Sequence, residues 1–161
     1  MLRPMTLADA EKLDALEKLC FSQPWPKGSF RSEWKNHLAR YVVADENGIL
    51  VGYGGMWIVL LEAQITSIAV HPAYRRQGMG TKILYWLMQR AWDELGIVQV
   101  TLETRVSNLP ARGLYEKLGF VNEGIRPRYY ENSEDAVIYW NRDTRNCLGI
   151  PMEKNVSPGL F

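Results

Sequence analysis

The residues best suited to chemistry lie in one run, Ile68-Ala69-Val70-His71-Pro72-Ala73-Tyr74-Arg75-Arg76-Gln77-Gly78-Met79-Gly80. A strand-like stretch leads into a basic turn with two glycines, and the turn opens onto a long amphipathic segment. Glycine lets a backbone turn tightly and lets a ligand approach its N–H groups. The first amides of a helix lack internal partners, and the helix dipole favours negative charge there. Arg75 and Arg76 add positive charge beside them. The combination is a cradle for phosphate, with Arg75, Arg76, Gln77, Gly78, Met79 and Gly80 as its candidate residues. A plain loop before a helix is the competing reading, and the coincidence of strand, arginines and helix start weighs against it. Two nucleotide motifs are excluded. Gly80-Thr81-Lys82 puts the lysine in the wrong place for GxxxxGK[ST], and the third glycine of a dinucleotide fingerprint would fall on Ile83.

Other reactive side chains point to no chemistry of their own. His37 and His71 have no metal-ligand spacing with each other or with a cysteine, so no metal is expected. Cys20 sits on an apolar helix face and Cys147 near the end of the chain, neither in a nucleophile context. They form no CxxC pair, and a reducing, cytoplasmic setting fits.

The elements that must position the cradle follow from periodicity. A strand at 2–4 precedes a helix that Thr6 and Asp9 open, with Leu7, Ala10, Leu13, Leu16 and Cys20 at helical spacing. Pro24-Trp25-Pro26 ends it, and a second helix is expected over 27–37. Strands are expected at 40–44, 49–58 and 61–70 as a meander, with Gly52, Gly54 and Gly55 hinting at a bulge. The amphipathic helix 80–95 puts Leu84, Leu87, Met88, Ala91 and Leu95 on one face and closes at Gly96. A strand over 98–104, a helix over 111–118 and two late strands at 120–123 and 136–140 complete the order βααβββαβαββ, a mixed α/β (α+β) domain. The domain is expected to span 1–145. The stretch 146–161 reads as a flexible tail whose removal from 147 onward leaves the fold intact.

Composition narrows the function classes. The 161 residues suit one domain, and 47% hydrophobic with 23% charged residues is an ordinary globular mix. Nineteen Lys and Arg against 18 Asp and Glu leave a net charge of +1, which gives no support for bulk nucleic-acid or membrane-surface binding. No apolar run approaches the roughly 18 residues of a membrane helix, and the first residues lack the order of a signal peptide.

Arg75-x-x-Gly78-x-Gly80 matches the R/Q-x-x-G-x-G/A signature of the GNAT superfamily of N-acetyltransferases. Further along, Leu102-Glu103-Thr104-Arg105-Val106-Ser107-Asn108 and Leu114-Tyr115-Glu116-Lys117-Leu118-Gly119-Phe120 resemble a motif pair of its RimI-type members. Those enzymes acetylate the N-terminus of a small-subunit ribosomal protein. Pro24-Trp25, Arg128-Tyr129-Tyr130 and Glu134-Asp135-Ala136 resemble their early and late signatures, so the likeness spans about residues 1–143. It departs at Tyr139-Trp140, where the family more often has a methionine-containing strand.

The resemblance implies a central twisted mixed sheet with helices on both faces. It implies acetyl-CoA as co-substrate, its pyrophosphate on Arg75–Gly80, its pantetheine arm strand-like along Ile68, Ala69 and Val70, and Asn108 near that arm. It makes Glu103 the general base and Tyr115 the general acid, although an exposed strand carboxylate or a partner of Arg105, and a core tyrosine, are the plainer readings. Tyr129 and Tyr130 are either strand-end packing or a wall of the acceptor slot; Trp25 is either core or a substrate contact. The implied partner is a protein N-terminus, a ribosomal protein beginning with alanine, attacked directly in a ternary complex. A lysine or small-molecule amine as acceptor, or a non-catalytic acyl-CoA-binding module, are the alternatives.

Overall fold

Alternating burial shows how the sheet is sandwiched. In β2 (Ala39–Glu46), Tyr41 and Val43 pack on one face while Val42 packs on the other. The computed structural model describes residues 1–151. Around β2 stand β1 (Leu2–Pro4), β3 (Ile49–Val59), β4 (Glu62–Val70), β5 (Gln99–Arg105), β6 (Val121–Arg126) and β7 (Ala136–Asn141). They form one seven-stranded sheet in the order β1-β2-β3-β4-β5-β7-β6. Every neighbouring pair is antiparallel except β4 with β5.

One face carries α1 (Ala10–Cys20) and α2 (Ser29–Lys35), whose Leu13, Leu16 and Phe30 pack on Tyr41, Val43 and Tyr53. The other carries α3 (Met79–Leu95), α4 (Leu109–Lys117) and the short α5 (Arg145–Leu148). There Ile83, Leu84, Leu87 and Met88 bury against Val42, Met56, Val100 and Tyr139. The expected order of elements and the helices on both faces are therefore present, with α5 added at the end.

Two glycines set how closely α3 sits. A Cβ at Gly54 would lie 2.4 Å from Ile83 Cγ2, and one at Gly52 would lie 3.2 Å from Ile83 Cδ1. The bare backbone of β3 thus lets α3 approach the sheet, with its N-terminal turn beside the end of β4. Gly78 and Gly96 bracket α3 in the left-handed region, at φ +76° and +66°.

Two expectations are corrected. Leu95 is 51% exposed: it is the last residue of α3, where the Gly96 cap turns the chain out of the helix. The expected boundary at 145/146 falls inside α5. Cys147 and Leu148 pack on the core, and Thr144 N–H donates to Val98 O at 3.0 Å. Four residues are too few to show helical periodicity, so packing rather than pattern makes this turn. The remainder of the expected tail, 152–161, lies outside the described residues.

Candidate active site

β4 and β5 run parallel but pair only at Glu62–Gln99, Ala63–Val100 and Gln64–Thr101. The register between β3 and β4 shifts between Gly55 and Met56, whose partners are Ser67 and Ile65, so Thr66 is the extra residue of a bulge. A bulge bends its strand and strengthens the local twist. From residue 65 onward the edge of β4 facing β5 has no strand partner, and the two strands diverge. The gap is a cleft of about 410 Å³ lined by Ile65–Ile68, Leu102–Arg105, Asn108 and Tyr115. An open strand edge offers N–H and C=O groups to an extended ligand.

The cleft continues into a groove of about 450 Å³ through the shared residues Phe21, Ile68 and Asn108. Ile68, Ala69, Val70, Arg75, Arg76, Gly78, Met79 and Gly80 line this groove, so most of the expected cofactor residues meet there. Gln77, also in that set, lies on the same exposed loop but is not part of the groove wall. A 3-10 turn at Pro72–Tyr74, capped by His71 Nδ1 accepting from Ala73 N–H at 3.0 Å, carries the chain from β4 to Arg75. Arg75 Nε donates to Val70 O at 3.0 Å, tying the loop to the strand end. Arg76 is held at φ +64°, a conformation a side-chain-bearing residue rarely adopts. A Cβ at Gly80 would find no atom closer than 4.0 Å, so open space lies over the first turn of α3. Orphan amides, an exposed Arg76 and that space fit a phosphate group.

On the other side of the cleft stand the acid–base candidates. Glu103 lies on the β5 face opposite Leu102 and Thr104, and Arg126 Nε donates to its Oε1 at 2.7 Å. Its cationic partner is therefore Arg126 of β6, not Arg105 as the plainer reading had it. Arg105 is held by Glu131 at 2.6 Å and Asn132 at 2.9 Å, with its guanidinium 4.1 Å from the centre of the Tyr130 ring. Tyr115 on α4 packs its ring between Phe120 and Tyr139, each 6.0 Å away centre to centre. Its hydroxyl has no hydrogen-bond partner among the described residues, and burial pushes its phenol pKa up. Tyr115 thus packs its ring in the core, as the plain reading has it, and is also one of the residues that line the cleft.

Tyr129 and Tyr130 meet edge to face at 5.1 Å. Tyr130 lines the cleft, and burial pushes its phenol pKa up to about 12. Tyr129 is raised too, first by burial and then by the neighbouring Glu103 carboxyl group. A larger groove of about 980 Å³ continues outward, sharing Trp25, Thr66, Glu103 and Tyr130 with the cleft and extending to Trp57 and Trp140. Trp25 is half-buried against Phe30 at 5.4 Å and also lines both spaces. Asn108 caps α4, its Oδ1 accepting from Ala111 N–H at 3.3 Å, and borders the cleft and the groove beside the start of α3 alike.

Two contributors carry no motif. Tyr139, where the sequence departs from its resemblance, is fully buried and donates to Glu116 Oε1 at 2.9 Å while Arg112 Nε donates to it at 3.1 Å. It anchors the helix that carries Tyr115. Glu17 is 2% exposed and lines the cleft; Tyr53 O–H donates to its Oε2 at 2.6 Å. The signal that marks it is its place in the apolar stripe of α1, between Leu13, Leu16 and Cys20.

Residues 10–120 match the acetyltransferase (GNAT) family model. The chain is 43% identical over 141 residues to a Bacillus subtilis protein provisionally named a ribosomal protein bS18-alanine N-acetyltransferase, covering 86% of this chain and 93% of that one. It is 34% identical over 126 residues to the Escherichia coli ribosomal protein bS18-alanine N-acetyltransferase, covering 76% and 84%. A crystal structure of the ribosomal-protein-S18-alanine N-acetyltransferase from Escherichia coli superposes with a TM-score of 0.82 at 29% identity, covering 100% of this chain and 98% of that one. The splayed strands, the glycine-containing loop that opens α3 and the matched sequence, which covers most of both chains, agree: the chain belongs to the acetyltransferase (GNAT) family, as an N-acetyltransferase.

Proposed function

We propose that this enzyme transfers acetyl from acetyl-CoA to the N-terminal α-amine of a protein, a ribosomal protein beginning with alanine. One observation carries the reading: phosphate groove, open β4 edge, Tyr115, Glu103 and the outer groove form one continuous channel. The names of the relatives supply the acceptor class.

The residues fit acetyl-CoA. Arg75–Gly80 hold the pyrophosphate on the first amides of α3, and the open edge of β4 at Ile68–Val70 accepts the amide groups of the pantetheine arm. Bound there, acetyl-CoA supplies an activated thioester carbonyl. Glu103, at the junction of cleft and outer groove, takes a proton from the arriving amine directly or through water. Its ion pair with Arg126 engages Oε1, and the Glu103 side chain stays 23% exposed. Tyr115, kept protonated by burial, donates its hydroxyl proton toward the sulfur that leaves. With the phenol held above its ordinary value near 10 and a thiol near 8.5, that transfer is uphill and reversible. Tyr129, Tyr130 and Trp25 wall the entrance, which restricts the first residue of the acceptor to a small side chain. Placing amine and thioester together supplies most of the acceleration.

An α-amine titrates near 8 and a lysine near 10.4, so the N-terminus requires about 3 kcal/mol less to become neutral. The test is an acetyl-CoA assay against peptides that differ only in their first residue, with tandem mass spectrometry locating the acetyl group. Alanine-first peptides acetylated at residue one with the highest kcat/KM are expected. Absence of N-terminal acetylation across the panel overturns the reading.

A further inference from the structure

Two carboxylates are buried in the described part of this molecule, and they are treated differently. Asp9 is 3% exposed and receives both terminal nitrogens of Arg3, at 2.8 and 2.9 Å. Glu17 is 2% exposed and has no lysine, arginine or histidine partner among the described residues. Its polar neighbours are the Tyr53 hydroxyl at 2.6 Å and the Trp25 N–H at 3.4 Å, both neutral. Tyr53 is itself fixed by Ser67 Oγ at 2.9 Å, on the bulged stretch of β4. A buried charge is normally paired, because leaving it unpaired costs the desolvation of the ion.

Glu17 is not sealed in the core. It forms part of the cleft wall together with Ser67, Glu103 and Tyr115. The arginine of that cleft, Arg105, is held by Glu131 and Asn132 and turned onto the Tyr130 ring. The cleft therefore presents a buried carboxylate whose hydrogen-bond partners among the described residues are all neutral, in the space where the reading above brings a cationic amine.

We propose that Glu17 is an acceptor-binding residue: its carboxylate forms the ion pair with the ammonium group of the incoming substrate. The inference rests on the amine-acetylating reading above and extends it. The amine arrives as R–NH3+, Glu17 holds it at the cleft, and Glu103 then takes one N–H proton to leave the neutral nucleophile. No bond forms at Glu17 itself. Tyr53 and Ser67 orient the carboxylate from β3 and β4, while Trp25 N–H ties it to the loop that walls the entrance.

The test uses an alanine-first peptide and its des-amino form, in which hydrogen replaces the amine. Their binding to the coenzyme A-saturated enzyme is measured by calorimetry. The wild-type protein is expected to prefer the amino form by about 10- to 100-fold. Glu17→Gln should bind the two forms within about threefold of each other, while Tyr53→Phe, which keeps the carboxylate, should retain a clear preference. If Glu17 only supports the fold, both variants lower the melting temperature and both keep the preference. A Glu17→Gln protein that keeps the full preference overturns the proposal. Should Glu17→Gln fail to fold, Glu17→Asp takes its place: a carboxylate one methylene shorter should lose most of the preference, and an undiminished preference overturns the proposal equally. A wild-type enzyme that acetylates the peptide yet does not distinguish the two forms overturns this inference alone. One that acetylates no amine overturns the reading beneath it as well.

Discussion

The two ends of the channel are built in opposite ways. The proposed phosphate end is mostly backbone: a 3-10 turn, left-handed residues at Arg76 and Gly78, and the first amides of α3, with Arg75 Nε and Cys20 Sγ both donating to Val70 O. The acceptor end is a net of side chains. Arg105 grips Glu131 and Asn132, Ser107 donates to Glu134 at 2.6 Å, Arg128 N–H donates to Asp135 at 2.9 Å, and Arg126 holds Glu103. A backbone cradle recognises a constant chemical group and tolerates few sequences. A net of exposed ion pairs can be rewired residue by residue, which suits the end proposed to choose the acceptor.

The largest effect should fall where the two ends meet. Tyr115→Phe is expected to lower kcat by about 10²- to 10⁴-fold with the KM for acetyl-CoA little changed. Its hydroxyl has no hydrogen-bond partner among the described residues, so the melting temperature should stay put. Steady-state kinetics alongside thermal unfolding separates the two; a variant with wild-type turnover removes Tyr115 from the chemistry.

At the backbone end, Gly80→Val should weaken coenzyme A binding by about 10- to 100-fold in calorimetry. The open space over Gly80 means the free protein should unfold at nearly its usual temperature. That pairing of lost affinity with kept stability is the signature of a side chain intruding on ligand and not on protein. Unchanged affinity in the folded variant contradicts the cradle.

At the side-chain end, Arg105→Ala should raise the KM for peptide by about three- to tenfold, leave coenzyme A affinity alone, and reduce the salt dependence of that KM. Equal effects on both substrates, measured by varying each in turn, would mean the ends are not separable.

This division also explains what could be read before folding. The phosphate loop, α3 and its Gly96 cap are local: each residue's role depends on neighbours a few positions away, so spacing alone exposes them. The acceptor net joins residues 105 with 131, 107 with 134 and 103 with 126. Nothing in the strand containing Glu103 says that its arginine will come from β6, because that depends on β7 inserting between β5 and β6. Glu17 is an intermediate case. Its position in an apolar stripe is visible, but that the stripe faces a cleft is decided by the bulge at Thr66 in β4, far along the sequence. The turn at Arg145–Leu148 was hidden for a third reason, since contacts to a core assembled elsewhere hold it. The smallest effect tests that point: Leu148→Ala should cost about 1 kcal/mol of stability by denaturant unfolding and leave kcat unchanged. No loss of stability would place the packing of α5 outside the fold's energetics.

The central claim is that the channel delivers an N-terminal amine, and not a side-chain amine, to the thioester. The most direct measurement takes one alanine-first peptide rich in lysines, with its N-terminus either free or chemically blocked, and follows acetylation of both by tandem mass spectrometry. Acetylation confined to the first residue of the free peptide, and abolished by the block, is the predicted result. Acetylation of the blocked peptide on lysine at a comparable rate would contradict it.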